Sequence, residues 1–172
     1  MAKTGKQIQG DFLQFLRDDV ISRQISGNVY REGYRPRDSR KEDIEVIYTG
    51  GNPGQIETGV VTILIYCPDV DLYGDGVLVE DGARTAKLER YAQEWLDSMT
   101  CEMSNYKLSL RSTITTIAID EIHQHAVSMA LDYEYFAGDE DDPTELIDEQ
   151  DADGLLVTNA DYAKNASIII ET

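Results

Sequence analysis

Two histidines, His123 and His125, are separated by one residue in the sequence "HQH". In a β-strand, residues two apart point to the same face, so both imidazoles could bind one metal ion there. No Asp, Glu or Cys with clear ligand spacing accompanies them. We therefore predict no metal site and interpret the pair as two solvated side chains of a turn.

The sequence "DEQDADG" has some of the spacing of a calcium-binding loop. Glu149, Asp151 and Asp153 would supply its first three ligands, although Glu is unusual at the first position. The twelfth position would be Ala160, where such loops need a bidentate Glu. We interpret this stretch as a solvated acidic segment and predict that the protein has no cofactor.

Other catalytic patterns are missing as well. The Gly-rich sequence "GGNPGQ", residues 50–55, lacks the Lys and the Ser or Thr of a phosphate-binding loop and connects two predicted strands. No "GxSxG" or comparable context identifies a nucleophile. The sequence therefore predicts a protein that is not an enzyme.

The distribution of charge limits the partners of the chain. Its formal net charge is -18, and residues 1–136 carry 14 basic against 22 acidic side chains, or -8. Residues 137–172 carry 1 basic against 11 acidic side chains, or -10. Such a protein repels nucleic acid unless it presents a local basic face, so a broad DNA-binding surface is not expected.

The compartment can also be inferred from the sequence. No apolar run approaches the length of a membrane span, and the amino terminus has no apolar signal region. Cys67 and Cys101 stand far apart and outside any metal-ligand spacing. We expect two reduced, partly buried thiols in a protein assembled in the cytoplasm and not exported.

Two helices are predicted from the spacing of apolar residues. Ile8, Phe12, Phe15, Leu16 and Val20 form an apolar stripe that predicts a helix over about residues 6–23. A second helix is predicted from about residue 82 to residue 99. Its apolar positions recur at spacings of three and four: Leu88, Tyr91, Ala92, Trp95, Leu96 and Met99.

The remaining segments are typical of strands. The sequence "VYREGYRPRDSRKEDIEVIY" contains two short strands around a Pro-containing turn, and "GVVTILIY" is apolar on both faces, as in a central strand. "YKLSLRSTITTIAID" and "HAVSMALDYEYF" complete the series, with "DEIHQ" as a hairpin turn between them. The order α-β-β-β-α-β-β predicts an α+β fold with an antiparallel sheet of about five strands and both helices on one face. The apolar faces of the longest segments predict the following core: Phe12, Phe15, Leu16, Ile63, Ile65, Leu88, Tyr91, Trp95, Ile117 and Leu131.

This order of elements and several local sequences resemble a known family. The amphipathic first helix is followed by "ISGNVYREGYRPRDSRKEDIEVIY", then by "GQIETGVVTILIYCPD", the helix "LERYAQEWL" and the closing strand pair. In these features the chain resembles the tail terminator and tail-completion proteins of tailed bacteriophages, in particular the Bacteroidetes-phage type. The resemblance covers about residues 6–136, and we expect one domain over residues 1–136. The acidic extension, residues 137–172, departs from the resemblance.

The resemblance implies a structural protein of the virion. Such proteins form rings at the head-tail connector or upper tail, assembled in the bacterial cytoplasm, and join the connector to the tail around the DNA channel. The implied partners are further copies of the chain, in a hexamer or dodecamer, and neighbouring portal-side and tail proteins. A head-closure or stopper protein, a stacked ring of a short-tailed phage and a nonviral binding module remain alternatives.

Five basic side chains are concentrated between residues 31 and 41 of this acidic chain: Arg31, Arg35, Arg37, Arg40 and Lys41. They could pair with acidic surface on an adjacent subunit or a stacked partner, because guanidinium groups bind carboxylates bidentately. They could instead face DNA in the lumen of the ring, or form a solvated loop without a specific role. We weight the partner interpretation above the other two, since a strongly acidic ring repels itself without local complementarity.

The carboxyl-terminal extension changes character along its length. Nine of the fifteen residues 139–153 are acidic, whereas the end contains Ile168, Ile169 and Ile170. A solvated tail has no reason to end in three isoleucines. We therefore expect an extended arm whose isoleucines dock on another subunit or another ring, with an edge strand in the chain's own sheet as the alternative.

Overall fold

A computed structural model describes residues 2–102 and 105–137, and the backbone of a two-residue strand pair, Glu149–Gln150 with Leu156–Val157. The side chains of the sequence considered above as a calcium loop lie outside the described residues, as do Ile168, Ile169 and Ile170.

The first helix, α1, spans Gly5–Asp18 and begins with a capping box formed by Thr4 and Gln7. The predicted continuous helix to about residue 23 is wrong in its last turn. Asp19 is extended, and its carboxylate accepts a hydrogen bond from the backbone N–H of Ile21, which begins the four-residue helix α2 (Ile21–Gln24). Val20, expected on the apolar stripe, is therefore exposed.

The main sheet has six strands, and the long helix α3 (Gly82–Glu102) lies between the third and fourth strands in the sequence. The strands are β1 (Val29–Arg31), β2 (Ile44–Asn52), β3 (Glu57–Pro68), β4 (Tyr106–Leu110), β5 (Thr115–Ile119) and β6 (Gln124–Tyr135). Their order across the sheet is β1-β2-β3-β6-β4, and β5 pairs with the first half of β6 along the same edge as β4. The protein is thus an α+β protein, as predicted.

The sheet is mixed, which corrects the prediction of an antiparallel sheet. β1 runs parallel to β2, with Val29 opposite Ile44, and the twelve residues 32–43 connect the two strands. A two-residue hairpin cannot join parallel strands, so this longer connection replaces the predicted turn. The Gly-rich sequence "GGNPGQ" connects two strands, as predicted, and β2 and β3 form an antiparallel hairpin with Ile44 opposite Ile65 and Asn52 opposite Thr58.

The count of six strands also differs from the expected five. The segment predicted as one strand is interrupted at residues 111–114, so β4 and β5 pair separately with β6. Both halves of this segment have the composition of a strand, so the sequence pattern alone does not reveal that the chain leaves the edge of the sheet between them.

The core lies between the sheet and the long helices, both of which pack on one face. Trp95, Phe12 and Leu131 are fully buried there, and alternate residues of β6 from Val127 to Tyr135 point inward as predicted. The core prediction is wrong for Ile117, whose exposed fraction is 42%. Ile117 lies opposite Ala126, and cross-strand partners point to the same face of a sheet. Since the odd-numbered residues of β6 point towards the helices, the side chains of Ala126 and Ile117 point away from them.

Candidate interaction surfaces

Arg35, the second member of the basic cluster, is used inside the subunit. Its Nε donates to Oδ2 of Asp43 at 3.0 Å, and its Nη2 donates to Oε1 of Gln124 at 2.9 Å. The Cζ atom of Arg35 lies 3.9 Å from the centroid of the Tyr66 ring, a cation–π contact. Since the Arg35 side chain is only 6% exposed, it is not available to a partner.

The contacts of Arg35 hold the connection 32–43 against one end of the sheet. Gln124 donates to the carbonyl of Ser39 at 2.8 Å, and the Ser39 hydroxyl donates to the same carboxylate oxygen of Asp43. The other carboxylate oxygen of Asp43 accepts from the backbone N–H of Asn28 at 3.0 Å. The connection is thereby tied to β6 and to the residue that precedes β1.

The other basic residues of the cluster divide between interior and surface. Arg31 is buried on the helix side of the sheet, where its guanidinium lies close to Gly10 of α1. Arg40 is exposed and donates to the carbonyl of Ile122 at 3.2 Å. Arg37 and Lys41 are exposed. The partner or DNA interface stays a prediction, and Arg37, Arg40 and Lys41 are its surface members.

A second ion pair, which the sequence did not predict, joins α3 to the connection 32–43. Arg84 donates to both carboxylate oxygens of Glu42, at 2.5 and 2.8 Å, and to the carbonyl of Gln24 at 2.7 Å. The hydrogen bonds that the guanidinium donates to Glu42 raise the pKa of Arg84. Residues 42 apart in the sequence give no local signal for such a pair.

The two histidines do not share a face. His123 is exposed in the turn before β6, with a left-handed backbone conformation (φ 52°). His125 lies in β6, opposite Cys67, and its Nδ1 is 2.6 Å from Oδ1 of Asp69. The interpretation of both imidazoles as solvated holds for His123 and is wrong for His125, which has a carboxylate partner and is half-buried.

The described helices leave the opposite face of the sheet uncovered. Its centre contains the half-buried apolar residues Ile47, Val60, Leu64 and Ala130 around the half-buried Thr62, which lies opposite both Ile47 and Ala130 in the registers of β2, β3 and β6. Polar residues lie beside them, with Asp132 opposite Val60, and Glu45 and Ser128 opposite Leu64. At one end this face is covered by Arg35, which lies over Tyr66. We call the uncovered remainder the open face.

A protruding loop lies next to the covered end. Val70 and Val79 form an isolated bridge at its base, and the Asp71 carboxylate accepts hydrogen bonds from the backbone N–H groups of Asp75 and Gly76. Its large apolar side chains are exposed: Leu72, Tyr73, Val77 and Leu78. The sequence "DLYGDG" is a turn signal and breaks the strand pattern before α3, but it does not show that the apolar side chains of the loop are exposed.

Comparison with known proteins adds no functional assignment. The sequence matches no family model and has no significant match among curated proteins. Within the described residues, none of the helices combines the length and the apolar character that a membrane span requires.

Proposed function

We propose that this chain is a structural subunit that assembles into a ring at the head-tail connector or upper tail of a bacteriophage virion. It acts without catalysis, by packing against copies of itself and against the neighbouring connector and tail proteins. The observation that carries the proposal is the open face, where the apolar side chains of Ile47, Val60, Leu64 and Ala130 surround Thr62 on a surface that the described helices do not cover. Apolar surface of this kind marks protein–protein contact sites.

The resemblance in local sequences supplies the phage assignment, and the fold is compatible with it. A small α+β domain with helices on one face presents the other face to neighbours in an assembly. The preorganised loop with exposed Leu72 and Tyr73 offers a second contact region beside the covered end of the sheet.

The net charge of -18 per subunit sets a condition on this assembly. Acidic copies repel one another, and this repulsion is screened by salt over a Debye length of about 10 Å at 0.1 M ionic strength. Apolar contacts are not weakened in this way. We therefore expect assembly to strengthen as the salt concentration rises.

The proposal is tested by native mass spectrometry and negative-stain imaging of the purified protein over a range of concentrations, together with examination of virions. Closed rings of six or twelve copies are expected. A protein that stays monomeric at every concentration and is absent from particles would overturn the proposal.

Variants of the open face make the test specific. Leu64→Glu places a carboxylate on that face and should impair ring formation while leaving the melting temperature close to that of the wild type. Ala86→Glu adds the same charge at an exposed position of α3 and serves as the control. Equal assembly of both variants would show that the open face is not the contact surface.

A further inference from the structure

The two edges of the main sheet differ in their capacity to pair with another strand. At the β1 edge, the carbonyl of Val29 accepts a hydrogen bond from Nη2 of Arg17 at 2.9 Å. The carbonyl of Arg31 accepts from the backbone N–H of Tyr34 at 3.0 Å. Since β1 has only three residues, these two bonds occupy the acceptors that a further strand would need.

The opposite edge is formed by β4 and β5, and hydrogen bonds at its β4 side fix which backbone groups face inward. The N–H of Arg111 donates to Ala130 at 2.9 Å, and the N–H of Phe136 donates to the carbonyl of Asn105 at 2.8 Å. In an antiparallel strand the N–H and C=O groups of one residue point to the same side, so these groups of the even-numbered β6 residues point towards this edge. β6 pairs with β3 without a register shift from end to end, so the same alternation holds along its whole length.

This alternation shows which backbone groups of β5 point towards β6 and which point outward. Thr115 and Ile117 lie opposite the even-numbered residues Ser128 and Ala126 and bond inward to β6. The N–H and C=O groups of Thr116 and Ala118 therefore point outward. No described residue forms a hydrogen bond with these outward groups.

The β5 edge also lacks the features that block strand addition. Its sequence, "TTIAI", contains no Pro and no charged residue, and Ile117 and Ala118 are exposed. Natural edge strands of soluble proteins are shielded by charge, Pro, bulges or a covering element. An unshielded edge is a site for β-strand addition by an extended segment.

We propose that this edge is the acceptor for the carboxyl-terminal segment of a second copy, with Ile168, Ile169 and Ile170 added as a strand beside β5. This inference rests on the proposed ring assembly and names its contact. Three consecutive β-branched residues favour a strand. Strand addition would satisfy the outward groups of Thr116 and Ala118.

The length of the chain beyond β6 permits the exchange. Thirty residues separate Ala137 from Ile168, and each residue of a fully extended chain spans at most about 3.3–3.6 Å. Because the outward carbonyls of β1 are already occupied, pairing of two copies through β1 and β5 is disfavoured. One donor segment and one acceptor edge per copy give a head-to-tail contact, which closes into a ring when the rotation between copies allows it.

The test uses full-length variants with matched controls. Ala118→Pro removes an outward N–H and leaves the inward bonds of Thr115 and Ile117 in place, whereas Ala118→Ser retains the N–H. Ile169→Asp disables the donor segment, and Ile169→Val retains its character. The Pro and Asp variants should raise the concentration for half-assembly by at least about tenfold, and the controls should resemble the wild type.

Mixing the two disabled variants distinguishes exchange between copies from docking within one chain. With Leu64→Glu added to both proteins to remove the proposed open-face contact, the intact segment of the Ala118→Pro protein should bind the intact edge of the Ile169→Asp protein, giving a 1:1 heterodimer in native mass spectrometry that grows no further. If the segment docks on its own sheet, no heterodimer forms, and the inference is overturned.

Circular dichroism and melting temperature establish that each variant is folded. If Ala118→Pro fails to fold, Ala118→Lys replaces it as the blocked edge, since an edge lysine opposes strand addition without removing the N–H. Rings that form equally well with both sites disabled would overturn this inference and leave the proposed function intact. Absence of the wild-type protein from rings and particles would instead remove the proposed function.

Discussion

Arg35 holds the Asp43 carboxylate at 3.0 Å in a site where the two side chains are 6% and 1% exposed. Both residues belong to the connection between the parallel strands β1 and β2, and Asp43 immediately precedes β2. The pair fixes the point at which the chain re-enters the sheet. Part of the positive charge concentrated in residues 31–41 therefore stabilises the subunit, whatever the exposed members of the cluster contact.

Replacing Arg35 should destabilise the protein strongly. Arg35→Met removes the charge and keeps much of the side-chain volume, so the Asp43 carboxylate would be left buried without its cation. Loss of one partner of a buried pair costs about 3–5 kcal/mol of unfolding free energy. Chemical denaturation measures the effect. Arg37→Met, at an exposed position two residues away, should change stability by no more than about 0.5 kcal/mol, and equal losses would contradict the internal role of Arg35.

Trp95 is the largest side chain of the core and lies in α3. Trp95→Ala should lower the free energy of unfolding by about 3–5 kcal/mol, because the indole is removed from a closely packed site. The exposed Lys87 of the same helix provides the control variant Lys87→Ala. A Trp95→Ala protein that melts like the wild type would refute the docking of α3 on the sheet.

The sequence predicts helix α3 and the inward face of β6 because their periodicity is strong. The helix contains six apolar positions at helical spacing, and alternate residues of β6 are all buried. The parallel pairing of β1 was not predictable in this way. It depends on Arg35, Asp43 and Gln124, and Gln124 lies 89 residues from Arg35 in the sequence.

The exposure of surface residues was likewise predictable from the sequence only in part. Ile117 has the pattern of a core residue, and its register opposite Ala126, on the side away from the helices, makes it exposed. Likewise, the basic cluster is visible in the sequence, yet its separation into buried and exposed members depends on tertiary contacts. Local patterns specify elements, whereas the choice of edge and face is made by interactions between distant segments.

Gly59 in the central strand β3 is expected to tolerate no side chain. A Cβ at this position would lie 2.5 Å from the carbonyl oxygen of Gly50 and 2.6 Å from the Tyr133 hydroxyl oxygen. Gly59→Ala should therefore destabilise the protein by about 1–3 kcal/mol, as overpacking of a filled site does. Gly50 lies opposite Val60 in the same hairpin, and its Cβ would meet nothing within 4 Å. Gly50→Ala should leave the midpoint of denaturation almost unchanged, and equal shifts would contradict the predicted steric difference.

Stability should fall at alkaline pH, in part through Cys67. Burial raises the pKa of its thiol from 9.0 to about 11. The folded state thus disfavours the thiolate, so the contribution of Cys67 to stability is fully present below about pH 9 and is lost as the pH rises towards about 11. Burial also raises the pKa of Tyr106 and Tyr133, which act in the same direction.

Comparison of the wild type with Cys67→Ala isolates the thiol. Unfolding free energies at about pH 8 and about pH 10.5 should decline less in the variant, with the tyrosines accounting for the rest. In a Cys101→Ser background, the native Cys67 thiol should also resist alkylation at about pH 8 and react once the protein is unfolded. An equal alkaline decline with and without Cys67 would contradict the prediction.

Truncation after Phe136 should separate folding from assembly. The described core residues all precede this position, and Phe136 itself closes β6 by donating its backbone N–H to Asn105. The shortened chain should therefore keep the circular dichroism spectrum and melting temperature of the full protein.

The same truncation removes 11 acidic and 1 basic side chain, which reduces the net charge from -18 to -8. Because the arm carries the proposed donor strand, ring formation should weaken, and because much of the repulsion is gone, the remaining association should depend less on salt. Unchanged assembly would remove the role of the arm, whereas loss of folding would show that the arm completes the sheet of its own subunit.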